Sequence, residues 1–323
     1  MKYRNVGKTG LKISDISLGA WLTYGGTAED EASKACITKA IELGVNFIDI
    51  ADVYARGKAE TVVGKVITDY DRKDLVISSK VFWPMSDGIN DRGLSRKHIM
   101  ESIDRSLDRI GTDYLDIYFA HRFDRNTPLE ETIRAMSDLV DQGLIHYWGT
   151  SVWPAVQLER AVWIAKDLGL HAPVVEQPRY NMLDRFIELD VMETTKRNGI
   201  GIVCWSPLAQ GVLTGKYNDG VPEGSRATTS KFIERDLTEA NFDKVKQLHE
   251  IASSKDITVA QLALAWILRR DEMSSAITGA TSPKHVTSNV EASEISLDSH
   301  TLEDIEKILN NEPQGHPVYQ APW

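Results

Sequence analysis

Short apolar or β-branched runs alternate along the chain with longer stretches in which apolar residues recur every three or four positions. The runs fall at 16–18, 46–49, 75–79, 115–120, 145–150, 174–177, 200–205 and 275–278. Runs this short, separated by helical periods, read as parallel βα units rather than as a sandwich or a bundle. Eight such units predict an α/β fold, a closed (β/α)8 TIM barrel. The competing open doubly wound sheet would bring a Gly-rich dinucleotide fingerprint in its first βα turn. That turn reads Leu18-Gly19-Ala20-Trp21-Leu22-Thr23, without G-x-G-x-x-G, so the barrel is the expectation.

The helical stretches carry their own punctuation. At Thr127-Pro128-Leu129-Glu130, Thr127 is placed to N-cap, Pro128 suits the first helical position and Glu130 completes a capping box. The stripe that follows is Leu129, Ile133, Met136 and Val140, and Gly143 lies just past its end, where positive φ is common. Likewise Ser95 precedes Ile99, Ile103, Leu107 and Ile110, and Gly111 closes the segment. Between the seventh and eighth runs the alternation is broken by a Gly-rich loop at 206–236 and by two helical patterns, 239–253 and 259–269. Loops of that length are usually functional or disordered. After the eighth run, 283–292 and 299–309 read as two further helices and 317–323 as a Pro-rich surface strap. Before the first run, 2–5 and 11–14 flank a Gly7/Gly10 turn, a β-hairpin suited to plug the bottom of a barrel. No linker composition interrupts the chain, so residues 1–323 read as a single barrel domain.

With 42% hydrophobic and 26% charged residues, the 323-residue chain has material for one large core and is too apolar for a disordered protein. Lys plus Arg total 37 against 47 for Asp plus Glu, a net charge of −10 that lacks the electrostatic footprint of a general nucleic-acid binder. Cys36 and Cys204 sit inside apolar stretches, without the spacing of a zinc site or a redox dithiol, and read as reduced core thiols. Met1-Lys2-Tyr3-Arg4-Asn5 has no apolar leader core, and no segment approaches the roughly 18 apolar residues that span a bilayer. The expectation is a cytoplasmic protein with no nucleic-acid partner and no membrane insertion.

In a barrel, side chains at the C-terminal strand ends converge on one mouth. Asp49 ends the second run and is followed by Asp52 and Tyr54; Lys80 follows the third, His121 the fourth, Thr150 and Ser151 the fifth, Gln177 the sixth, and Trp205 with Ser206 the seventh. A tyrosine near pKa 10 is a poor acid unless a cation lowers that value, and Lys80 is the cation at hand. Asp49 would keep the ammonium charged and oriented in a partly dry site. His121 is placed to bond the same substrate oxygen. Taken singly, each residue also admits a structural role: Asp49 and Lys80 as an ion pair, Tyr54 as a rim residue, His121 as a satisfied histidine.

The segment Phe47-Ile48-Asp49-Ile50-Ala51-Asp52-Val53-Tyr54, with Lys80 and His121 following, resembles the active-site pattern of the aldo-keto reductases. Trp148-Gly149-Thr150-Ser151, Glu176-Gln177 and Trp205-Ser206-Pro207-Leu208-Ala209-Gln210-Gly211 extend the likeness from the hairpin to the helix before the tail. These segments resemble especially the branch that contains the voltage-gated potassium-channel β subunits. The resemblance implies NADPH-dependent reduction of aldehydes or ketones, hydride passing from cofactor to carbonyl carbon while Tyr54 protonates the oxygen, with no metal. It also implies that Ser151 and Gln177 hold the nicotinamide carboxamide and that Trp205 stacks on the ring. Trp21, Tyr24, Trp83 and Trp153 follow strand ends and would line a largely apolar substrate pocket. Arg122, next after His121, would draw an acidic substrate or join a surface salt bridge.

Barrel phosphate sites use the loops after the seventh and eighth strands and a helix N-terminus. Ser206, Leu208, Gln210 and Lys216 lie in the first of these loops, where Gly211 and Gly215 allow close backbone approach. In the second, Gly279-Ala280-Thr281-Ser282-Pro283 opens a helix whose first N–H groups can meet an anion. Arg226 and Lys284 are the candidates for a 2′-phosphate, or else solvated loop cations. The commoner family pattern carries Lys and Ser at the start of this loop, an Arg near the 2′-phosphate and a Glu-Asn pair at the adenine. This chain has Gly279, Ala280, His285, Ser288 and Asn289, and only Asn289 matches fully, so NADP is preferred over NAD without being dictated. The rival reading is a cofactor-sensing regulatory subunit of a membrane channel or transporter. Channel β subunits replace the histidine by asparagine, whereas this chain has His121 and begins only fifteen residues before its first predicted strand, which favours an enzyme. The branch implies tetramers or octamers; the hydrophobic periodicity indicates neither.

Overall fold

The eight apolar runs close on one another in the computed structural model, which describes residues 1–21, 30–229 and 231–313. Tyr24, the side chain of Arg226 and the tail at 317–323 lie outside that description. An antiparallel pair comes first, β1 (Tyr3–Asn5) and β2 (Lys12–Ser14). The barrel strands follow: β3 (Ile16–Gly19), β4 (Phe47–Asp49), β5 (Val76–Val81), β6 (Leu115–Ala120), β7 (Ile145–Ser151), β8 (Val175–Gln177), β9 (Gly201–Cys204) and β10 (Met273–Thr278). Each pairs in parallel with the next, and β10 returns to β3.

Helices α1 (Asp30–Glu42), α2 (Lys58–Ile67), α3 (Arg96–Ile110), α4 (Leu129–Asp141), α5 (Ala155–Leu168) and α6 (Val191–Asn198) follow the first six barrel strands in turn. Between β9 and β10 the insertion holds a 3-10 turn at Ala209–Thr214, a short α7 (Arg226–Thr229), a second 3-10 turn at Lys231–Asp236, and α8 (Glu239–Ser254) and α9 (Val259–Leu268). After β10 come α10 (Pro283–Glu291) and α11 (Ser299–Leu309). No single helix among the described residues is long and apolar enough to cross a membrane.

Phe47, Val76, Ile117, Phe119, Val175, Val203 and Ile277 point into the barrel, and Val6 and Ile13 of the hairpin pack into the same cluster. The hairpin is therefore the plug that its sequence suggested. Outside the strands, a second core joins barrel to helices, with the α4 stripe of Leu129, Ile133 and Met136 buried in it. Each such side chain contributes about 1.5–3 kcal/mol by leaving water.

The capping box expected at Thr127 does not form. Pro128 takes the cap position, with no side-chain cap, and Thr127 Oγ1 donates to Asp124 Oδ2 at 2.8 Å. Asp124 already accepts from Leu94 N and Asn126 N, so the hydroxyl completes that loop anchor instead of meeting the helix. At α3, by contrast, Ser95 accepts from His98 N.

Candidate active site

Asp49 closes β4, and three donors hold its carboxylate: Ser78 Oγ at 2.7 Å and Gln177 Nε2 at 2.9 Å on Oδ1, and Lys80 Nζ at 2.6 Å on Oδ2. Ser78 and Lys80 share a face because strand side chains repeat every two residues. Lys80 lies within β5 rather than just past its end, and also donates to the Ile50 carbonyl at 2.7 Å. Both charges are buried. Burial pulls the Lys80 ammonium below its ordinary range, and Asp49 opposes that shift.

Tyr54 opens a turn in which Ala55, Arg56 and Gly57 take φ of +49, +52 and +86°. For the two non-glycine residues this conformation costs on the order of 1 kcal/mol each. The turn leads into α2 and leaves the Tyr54 ring centroid 4.8 Å from Lys80 Nζ and 5.8 Å from the His121 ring, edge-on to it. Burial, then Asp49 and Asp52, raise the phenol well above its ordinary pKa, and Arg122 is the cation that pulls it down. The lowering expected from Lys80 is not found: the phenol is raised, and Asp49, which pairs with that ammonium at 2.6 Å, adds to the rise.

His121 follows β6 and is buried; burial first, then Arg122 and Lys80, lower its pKa well below the ordinary value, so the ring is neutral near pH 7. Arg122 donates to the His121 carbonyl and to Ser151 Oγ at 3.4 Å, and its guanidinium lies 5.6 Å from the Trp83 ring. Trp83 stands edge-on to His121 at 6.3 Å, and Trp21 meets Trp205 at 5.7 Å. Trp153 does not join them. It is fully buried in the barrel-to-helix core against Phe123, and its backbone N–H donates to the outward-facing Glu176.

Ser151 Oγ donates to the Gln177 carbonyl at 2.9 Å, and both residues are buried beside Asp49. Trp205 is half-buried between Trp21 and Arg179, whose guanidinium is 5.6 Å from its ring. Beyond it Ser206, Ala209, Gln210 and Gly211 take φ of +51, +46, +59 and +100°, around the half-buried Leu208. Gln210 Nε2 returns to Ser206 Oγ at 3.0 Å. A Cβ on Gly211 would stand 2.9 Å from Lys216 Cε, so glycine lets the lysine stem cross the turn. Clustered left-handed residues form backbone concavities suited to anions, and the exposed Lys216 adds a cation. At the start of α10, Gly279, Thr281, Lys284 and His285 are exposed, Ser282 makes no capping bond, and Asn289 is buried one turn beyond His285. This donor set fits the phosphates of a dinucleotide.

Four charges that no sequence period connects fasten the insertion to the loop after β8. Arg179 forms ion pairs with Asp184 at 2.9 Å and Asp236 at 2.5 Å, and Arg235 pairs with the same two carboxylates at 2.6 and 3.2 Å. Glu176, which precedes Gln177 on β8, carries no role that its sequence position signals. Its buried carboxyl accepts from Thr150 and Trp153, and burial raises its pKa from 4.5 to about 7. The folded state therefore holds this proton to higher pH than the unfolded chain does. Its contribution to stability falls as pH rises from about 4.5 to about 7, by on the order of 3 kcal/mol. Glu176→Gln is expected to remove that slope, and urea melts of both proteins between pH 4.5 and 7.5 check it; parallel curves would refute it.

Fold and mouth together define a barrel with ionisable groups gathered at the carboxyl ends of its strands. The profile of the Aldo/keto reductase family matches residues 15–310, and the chain belongs to that family, which uses nicotinamide cofactors. It is 42% identical to a probable voltage-gated potassium channel subunit beta of Arabidopsis thaliana, over 99% of this chain and 100% of that protein. With one of the same description from Oryza sativa subsp. japonica it shares 40%, again over 99% and 100%. With a putative voltage-gated potassium channel subunit beta of Schizosaccharomyces pombe it shares 43%, over 96% and 94%.

Proposed function

We propose that this protein reduces aldehydes or ketones to alcohols with NADPH, Tyr54 giving the proton. The observation that carries this is the Tyr54 ring gathered with His121 at 5.8 Å and with Lys80 Nζ at 4.8 Å around the buried Asp49–Lys80 pair. A nicotinamide ring seated by Ser151, Gln177 and Trp205 would supply the hydride. Tyr54 donates its proton to the carbonyl oxygen as that oxygen gains charge, and His121 bonds the same oxygen without ionising. The phenolate left behind has its ring centroid 4.8 Å from the Lys80 ammonium and is reprotonated from solvent. Lys284, exposed at the start of α10 beside the phosphate cradle, favours NADPH over NADH, and Asn289 would meet the adenine that both share. Trp21 and Trp83 wall the substrate side.

A second reading, a nicotinamide-sensing cytoplasmic subunit of a membrane channel, rests on the names of the three relatives. On that branch the protein would assemble as a tetramer or octamer. The experiment is steady-state oxidation of NADPH, and separately NADH, with 4-nitrobenzaldehyde. Aldehyde-dependent turnover at lower NADPH than NADH is the expected result. Saturable NADPH binding without turnover would overturn the enzyme reading in favour of the subunit.

A further inference from the structure

We propose that the Glu60–Arg109 ion pair is a positioning device for Tyr54, holding the left-handed turn that presents the phenol at the mouth. It rests on the reading of Tyr54 as the proton donor. Glu60 lies in the first turn of α2, directly after the Tyr54–Gly57 turn, and is completely buried. One carboxylate oxygen accepts from Ser79 Oγ at 2.6 Å and the other from Arg109 Nε at 2.5 Å. Ser79 precedes Lys80 on β5, and Arg109 lies in the last turn of α3. One carboxylate thus joins the helix after Tyr54 to the strand of Lys80 and to the neighbouring helix.

Arg109 also touches the turn itself. A Cβ on Gly57 would stand 2.7 Å from Arg109 Cδ and 2.9 Å from its Nε, so the arginine stem lies against the last of the three left-handed residues. Its Nη2 donates to Ser106 Oγ at 3.3 Å. The two helices pack backbone to backbone at Gly64, where a Cβ would be 2.3 Å from the Ile110 carbonyl oxygen, so the Glu60–Arg109 pair spans a close contact. Asp52 and Tyr118 are also buried nearby: Asp52 Oδ1 accepts from Val53 N at 2.6 Å and so holds the entry to the turn, whereas Asp52 Oδ2 and the Tyr118 hydroxyl have no hydrogen-bond partner among the described residues and join neither α3 nor β5 to it. Ala55 and Arg56 gain nothing locally from positive φ, since L-residues prefer the right-handed region. Freed from the clamp, the turn relaxes and the phenol leaves its place beside Lys80.

Arg109→Met keeps a stem without the charge, Arg109→Lys keeps the charge, and Glu60→Gln keeps the volume. Single-turnover decay of enzyme-bound NADPH with saturating 4-nitrobenzaldehyde reads only folded, loaded molecules. The rate constant should fall at least tenfold in Arg109→Met and in Glu60→Gln, with the NADPH Kd within twofold, and return to within threefold of wild type in Arg109→Lys. A purely structural pair would lower Tm and leave that rate constant alone. In full-length protein labelled with 13Cζ-tyrosine, with the resonance assigned by Tyr54→Phe, the Tyr54 line should shift in Arg109→Met and return in Arg109→Lys. Unchanged rate constants together with an unchanged Tyr54 line overturn the proposal. Should Arg109→Met not fold, Glu60→Gln and Arg109→Lys decide. If wild type itself does not turn over, the proton-donor reading fails, and the Tyr54 line alone still decides whether the pair positions the ring.

Discussion

Tyr54→Phe is expected to lower kcat about a hundredfold or more while leaving the NADPH Kd within twofold. The phenol proton is used only as charge develops on the carbonyl oxygen, and positioned general acids contribute roughly 10²–10⁴-fold. The ring itself still fills its half-buried place against the core, so the fold keeps its packing. The pH dependence is equally specific. Burial, Asp49 and Asp52 hold the phenol protonated well above its ordinary range, and burial with Arg122 and Lys80 holds His121 neutral well below its own. The profile of kcat/KM for reduction should therefore show no titration of the phenol from about pH 6.5 to about 10, since free-enzyme groups shape that parameter, and a fall within that range belongs to the Lys80 ammonium, which burial lowers. Steady-state rates across that range check it, and an inflection lost in Tyr54→Phe would place the acid's pKa inside the window. Undiminished turnover in the variant would remove Tyr54 from the chemistry.

Lys80→Met should abolish measurable turnover and also destabilise the fold, by about 3–5 kcal/mol, the usual consequence of breaking a buried pair on one side. The ammonium is fully buried at 2.6 Å from Asp49, and its loss leaves a buried carboxylate with only Ser78 and Gln177 as donors. The double variant Asp49→Asn/Lys80→Met replaces the ion pair by neutral groups and should recover most of that stability but none of the turnover. Urea unfolding and single-turnover rates on the three proteins separate the two effects. A double variant as unstable as Lys80→Met would mean that the pair is not the source of the loss. Turnover retained in Lys80→Met would mean that the phenolate needs no cation.

Much of the architecture was legible because its signals are local. An apolar run is a strand and a three-to-four period is a helix whatever lies elsewhere, so the barrel order, the two helices within the insertion and the hairpin all stand where the sequence placed them. Strand ends then name the mouth, which is why Asp49, Tyr54, Lys80 and His121 are found together. Trp153 misled because following a strand end does not say which way a side chain turns. Val152, at φ +59°, intervenes, and the tryptophan lies in the outer core. Thr127 misled because a hydroxyl three residues from a carboxylate had a better acceptor than a helix end has donors to offer.

What the sequence by itself determined is the repeat, the closure into a barrel and the identity of the residues at its mouth, all consequences of periodicity within some twenty residues. Tertiary structure alone decided which charge acts on which. Gln177 reaches Asp49 across 128 positions, Arg179 reaches Asp236 across 57, and Arg109 reaches Glu60 across 49. Electrostatic and hydrogen-bonding partners are chosen by distance in space and by burial, and neither leaves a period in the chain.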